Sequence, residues 1–286
     1  MIQMNITTRG AIAGPFYFVI AGALFAGANT AVQGAGMLYG VPSPTIAFWQ
    51  YTLACVAALP LVWRAPWRTD RPWMHLLRVV LGAIGVQLWV AGLVVVPIWQ
   101  AVALILTSPL FVTLGAGLLL GERLTVSRML AVLLGALGGV LILAPWEEAF
   151  SWAALLPVAA AAFWAGASLA TKRLTDTEDA GTLTLALLLL LVPVNGVAAL
   201  GAGFAVAPAA LWLVALSGLL VAGAQYLLAR AYVVADAAYL QPFDHLKLPL
   251  NVGLGLVFFG FAPPGLMWLG AGVIIAASAW VMREEV

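Results

Sequence analysis

The chain has 286 residues; 64% are hydrophobic, only 8% are charged, and the formal net charge is +1. A soluble domain carries roughly 25% charged residues, so this composition excludes a water-soluble globule and specifies an integral membrane protein. The near-neutral balance argues against nucleic acid or acidic polymers as partners, and the single cysteine, Cys55, excludes an intramolecular disulfide.

A helix needs ~20 apolar residues to cross the bilayer core. The first apolar stretch, 12–36, follows Arg9 and is too long for a cleavable signal peptide, so it predicts a helix that stays in the membrane. Four more follow over 45–63, 76–96, 98–120 and 128–144, separated by "VPSP", "APWR" and "PI" among other turn signals. Beyond "APWEEAF" at 144–150, five further spans are predicted over 152–170, 183–204, 211–230, 237–261 and 266–282. The connections are short and leave no room for a soluble domain.

Basic residues orient these spans. The gaps after spans one, three, five, seven and nine contain no Lys or Arg, and Glu147 and Glu148 are their only clear charges. Arg9, Arg64, Arg68, Arg71, Arg78, Arg123, Arg128, Lys172, Arg173, Arg230 and Arg283 all fall on the opposite side. The positive-inside rule makes that side cytoplasmic, which predicts both termini in the cytoplasm. Only Lys247 lies elsewhere.

Ten spans divide into five plus five. Each half ends in a long segment, a Gly-rich turn and a Gly-rich helix: "SPLFVTLGAGLLLGERLTVSRMLAVLLGALGGVLIL" in the first and "KLPLNVGLGLVFFGFAPPGLMWLGAGVIIAASAWVM" in the second. Because five is odd, the second copy must insert upside down. The fold expected is an all-α integral membrane protein of ten transmembrane helices, built as two inverted five-helix repeats (12–146 and 151–282) around a central cavity. Inverted repeats are common in secondary transporters, whose substrate sites lie near the bilayer midplane between the repeats.

The first copy carries Pro109, then Gly121 and Glu122, then Gly135, Gly138 and Gly139. In this pattern the chain resembles the EamA branch of the drug/metabolite transporter superfamily. In the second copy Gly260 is followed by Phe261 and Ala262 instead of a Glu. The resemblance implies a central cavity and secondary transport of small metabolites, most often amino-acid export, with aromatic amino acids among the substrates. The alternative it implies is another small organic solute: a nucleotide-like metabolite, a vitamin or a drug. It implies a bacterial inner-membrane location and no cofactor, and its partners are the substrate and the lipid bilayer.

The most unusual segment is "LQPFDHLKLPL" at 240–250. An ionised side chain at the centre of a membrane helix costs ~2.5–3.5 kcal/mol. At ~1.5 Å per residue from a start near Ala237, Asp244 lies ~10 Å deep and Lys247 ~15 Å. Asp244, Lys247 and Asn251 fall within ~60° of arc, with His245 on the flank. Such a stripe must face protein or a water-filled cavity. It is either a substrate-contacting or proton-coupling site, or a neutralised pair that ties the ninth helix to its neighbours. Pro242 and Pro249 bracket it; each removes a backbone donor and frees a carbonyl, which could hold an ammonium or be a tolerated kink.

Other candidates are amides and aromatics. Gln87 and Gln225 lie mid-span in helices three and eight, at equivalent places in the two halves. They are expected in the cavity, against the ordinary alternative of a bond to a neighbouring helix. Asn29 and Gln33 share one helix face near the outer end. Trp164 lies mid-helix and Trp99 opens the fourth span; both could form the apolar wall of a substrate pocket or pack as core. Trp63, Trp67, Trp73, Trp146, Trp152 and Trp280 read as interfacial anchors. "GAIG" (82–85), "GALGG" (135–139) and "GAG" (270–272) predict close helix packing.

Rival functions have little support. No H-E-x-x-H or G-x-S-x-G motif suggests an intramembrane enzyme. Two histidines, His75 and His245, are too few for a His-rich metal centre. No phosphate-binding loop suggests an ATP-driven pump. The expectation is a non-enzymatic transporter working by alternating access.

Overall fold

A computed structural model describes residues 8–62, 69–108, 110–112, 114–115, 126–147, 150–234, 243 and 246–283. Among them lie ten α-helices and no β-strand. In chain order these are α1 (Thr8–Met37), α2 (Ser43–Val62), α3 (Pro72–Leu93), α4 (Ile98–Ile105), α5 (Val126–Leu143), α6 (Leu155–Leu174), α7 (Ala180–Ala199), α8 (Leu211–Val234), α9 (Lys247–Phe259) and α10 (Gly265–Arg283). Five segments are long and apolar enough to cross a membrane: Ala13–Met37, Pro72–Leu93, Trp152–Thr171, Ala180–Ala199 and Pro208–Val234.

Local chemistry sets several boundaries. Pro72 opens α3, where its missing N–H costs no helical bond. Asp179 caps α7 by accepting from the Thr182 N–H at 2.8 Å. Gly260 ends α9 with φ 69°, a left-handed conformation that glycine adopts without strain.

Two helices depart from expectation. The span predicted over 98–120 is interrupted at Leu106–Thr107. There the Thr107 hydroxyl bonds the Leu104 carbonyl at 2.7 Å, just before Pro109, which lies outside the described residues. The described part of the span predicted over 237–261 is α9, which starts only at Lys247. Pro249 therefore sits in the first turn, where no intrahelical donor is lost, and it does not free a carbonyl as expected.

The helices pair in a definite order. α1 packs most extensively on α8, α3 on α6, α5 on α10, and α2 on both α7 and α8; α9 contacts α4 and α1. Small residues permit the closest approach. A Cβ on Gly138 would stand 2.7 Å from the Gly270 carbonyl, and one on Gly270 2.6 Å from that of Gly138. The "GALGG" and "GAG" patterns thus meet each other across the α5–α10 crossing. Ile46, Leu93, Ile98, Leu104, Leu188 and Met267 fill the main core. Leu133, Leu137, Val257 and Leu269 face outward, as lipid-covered positions do. Trp73, Trp146, Trp152 and Trp280 are exposed, as anchors should be, while Trp63 and Trp67 lie outside the described residues.

Candidate functional site

Phe18, Gly22, Phe25 and Asn29 recur at the three- and four-residue spacing that lines up one helix face, on α1. Lys247 and Asn251, four apart on α9, meet that face. The Lys247 stem crosses Gly22, where a Cβ would stand 3.1 Å from its Cγ. Its ammonium sits over the rings of Phe18 (5.3 Å) and Phe25 (5.6 Å). A cation–π contact at a half-buried lysine contributes roughly 0.5–2 kcal/mol, which offsets part of the cost of holding a lysine inside an apolar bundle.

One turn further along α1, a polar relay links three helices, α3, α1 and α9. The Trp89 indole N–H, from α3, donates to Asn29 Oδ1 at 3.1 Å. The Asn29 amide donates to Asn251 Oδ1 at 3.2 Å, and the Asn251 amide to the Lys247 carbonyl at 2.7 Å. Trp89 also contacts Trp164 of α6, with ring centroids 5.6 Å apart. Trp164 lies against Gly85, where a Cβ would come within 2.4 Å of its Cδ1. Asn29, Phe25, Trp164 and Lys247 are only half-buried. The result is a half-open site inside the bundle with an aromatic wall, an amide edge and one ammonium.

Comparison with known proteins places this geometry. The sequence profile of the EamA-like transporter family matches residues 14–144. A protein of Rhizobium johnstonii named riboflavin transporter is 52% identical over 294 residues, covering 100% of this chain and 97% of that relative. The chain belongs to the EamA-like transporter family. A riboflavin transporter of Vibrio cholerae is 44% identical, covering 95% of this chain and 93% of the relative. An S-adenosylmethionine uptake transporter of Rickettsia bellii is 26% identical over 84% of each chain. One solved crystal structure aligns over 96% of this chain and 97% of its own, with TM-score 0.64 and 20% identity, and so supports the fold alone.

Within this EamA-like transporter, the residues singled out from sequence fall into three groups. Lys247, Asn251 and Trp164 lie in the half-open site. Gln87 bonds a neighbouring helix, donating to Asn195 Oδ1 of α7 at 2.8 Å, and Gln225 is half-buried on α8. Trp99 is half-buried against the main core at the start of α4. Asp244 and His245, together with Pro242 and Glu122, lie outside the described residues.

Four site residues were missed. Phe18, Phe25 and Trp89 carry no polar signal that separates them from other apolar residues of their helices. Asn29 was noticed but placed near the outer end beside Gln33. Gln33 instead donates to the Leu93 and Val96 carbonyls at 3.0 and 2.9 Å, satisfying groups left open at the end of α3.

Proposed function

We propose that this chain carries riboflavin across the cytoplasmic membrane. The observation that carries the reading is the set of relatives named riboflavin transporter. They are 43–52% identical and aligned over at least 93% of each chain. This is the vitamin alternative, and it replaces the expectation of amino-acid export. The site agrees in kind. Riboflavin is an uncharged planar tricycle with a polyhydroxyl tail, and its recognition calls for stacking surfaces and neutral hydrogen-bonding groups. The half-buried Trp164 and Phe25 provide aromatic faces, worth about 0.5–1.5 kcal/mol per ring pair beyond burial, and the half-buried Asn29 provides an amide. Relatives named S-adenosylmethionine uptake transporter are only 25–26% identical, and that lower identity makes their cargo the weaker reading.

The transport mechanism in this reading is alternating access between two inverted five-helix halves, 12–146 and 151–282, within ten spans. The helix pairings support it. Exchanging each helix with the one five later turns α1–α8 into α6–α3, α2–α8 into α7–α3, and α1–α9 into α6–α4. The pairs α2–α7, α4–α9 and α5–α10 map onto themselves. The site lies where α1 and α3 of one half meet α6 and α9 of the other. The distribution of Lys and Arg supports a cytoplasmic position for both termini.

Equilibrium binding tests the reading. Riboflavin titrated into the purified protein in lipid nanodiscs should lose fluorescence as its ring stacks on tryptophan, in a saturable manner. Trp164→Ala should weaken that binding at least about tenfold, or ~1.4 kcal/mol. No saturable quenching would contradict the reading.

A further inference from the structure

We propose that Asn29 is the specificity-determining residue of the site and that it reads the imide edge of the flavin ring; this rests on the riboflavin reading above. The argument begins with the polarity of the relay. An indole N–H can only donate, so Trp89 fixes Asn29 with its oxygen toward α3. A backbone carbonyl can only accept, so the Lys247 carbonyl fixes Asn251 with its nitrogen toward α9 and its oxygen toward Asn29. Both ends dictate one direction, and neither carboxamide can flip without losing bonds.

Asn29 then has spare valence. A carboxamide offers two N–H donors and two lone pairs. The relay uses one N–H, to Asn251, and one lone pair, from Trp89. One donor and one acceptor remain on a rigidly held planar group. Asn251 is buried, whereas Asn29 is half-buried between the Lys247 cage and the Trp89–Trp164 pair. Trp89 is buried and Trp164 half-buried, so a ligand would stack on the Trp164 indole, whose neighbour Trp89 bonds Asn29, and so bring its edge to Asn29.

The chemistry that fits a fixed donor and acceptor is an imide or a similar N–H/C=O edge. The pyrimidine ring of the isoalloxazine has one, with N3–H between two carbonyls. Its N3–H would donate to Asn29 Oδ1, and a flanking carbonyl would accept from Asn29 Nδ2. The benzenoid end, with only methyl groups, cannot. Sites built to hydrogen-bond a ligand group reject the analogue lacking it strongly, because the protein's own groups are left unpaired.

The test compares riboflavin with N3-methylriboflavin, in which the imide donor is blocked, on purified wild type and Asn29→Leu in nanodiscs. Wild type should bind the methylated flavin about tenfold to a hundredfold more weakly. Asn29→Leu should bind both flavins alike, at the level wild type shows for the methylated one. Equal affinities in wild type, or preserved discrimination in Asn29→Leu, would overturn the proposal. Should Asn29→Leu fail to fold, Asn29→Ala takes its place, with the same result expected and the same result overturning the proposal. If neither flavin binds to wild type, the riboflavin reading fails and takes this inference with it. Tight riboflavin binding without discrimination sinks only the role of Asn29.

Discussion

The Glu178 carboxylate, in the turn between α6 and α7, lies 2.5 Å from Nε2 of His75 on α3, and both side chains are almost wholly buried. The same carboxylate accepts from the Thr69 hydroxyl at 2.5 Å. Nearby, Arg71 donates to the Arg173 carbonyl at 2.9 Å and Arg78 to the Leu183 carbonyl at 2.8 Å. These bonds join the start of α3 to the α6–α7 corner, at the end of the bundle marked by basic residues. The bonds that join α2 to the loop between α7 and α8 are neutral, from Thr45 to the Gly203 carbonyl (2.6 Å) and from Trp49 to the Phe204 carbonyl (2.8 Å). Removing one partner of a buried hydrogen bond costs about 1–3 kcal/mol. Glu178→Ala should therefore lower the detergent melting temperature by several degrees, and Glu178→Gln, which can still accept from Thr69, by less. Riboflavin binding should survive both changes, because the site lies elsewhere.

Gly85 is predicted to be essential to the site without touching ligand. A methyl group there would overlap the Trp164 indole, with contacts of 2.4 and 2.5 Å to Cδ1 and Nε1. Gly85→Ala should push Trp164 from its place and weaken riboflavin binding by about tenfold, ~1.4 kcal/mol. Gly82→Ala, whose Cβ would meet Leu187 only at 3.8 Å, is the control and should bind normally.

The α5–α10 crossing gives a stability prediction. Gly270→Ala forces its Cβ against the Gly138 carbonyl, an overpacking that costs typically 1–3 kcal/mol. Gly272→Ala on the same helix meets nothing within 4 Å and should be silent. Equal melting temperatures for the two variants would contradict the packing described.

Close packing at these glycines was legible in the sequence, because small residues at close spacing have one evident use in apolar helices; which two helices meet there was not. Membrane class and the order of the helical segments were legible for the same reason: apolar length and turn residues are local signals. The candidate site was legible at Lys247 and Asn251, whose polarity stands out against their surroundings, and at Trp164, whose mid-helix position sets it apart from interfacial tryptophans. The α1 face was not. Phe18 and Phe25 sit on a helix that is apolar nearly all round, so no periodic contrast marks which side turns inward. The His75–Glu178 pair spans 103 residues of sequence, and only the fold reveals it. The aromatic content was noticed but assigned to amino acids; the relatives, not the residues, redirect it to a vitamin.

Lys247 offers a further test. Lys247→Met keeps the apolar stem over Gly22 and removes only the ammonium. If the charge holds α1 and α9 together through Phe18 and Phe25, Lys247→Met loses roughly 0.5–2 kcal/mol of stability and Lys247→Arg retains most of it, since guanidinium also stacks on rings. Melting curves in the absence of substrate measure this directly.

The central claim is the identity of the cargo, and counterflow in proteoliposomes tests it most directly. Vesicles containing the purified transporter are preloaded with unlabelled riboflavin and diluted into trace radiolabelled riboflavin. Riboflavin should accumulate transiently, saturably and without competition from tryptophan or phenylalanine. Accumulation of labelled tryptophan in vesicles preloaded with tryptophan, with no riboflavin exchange, would contradict it.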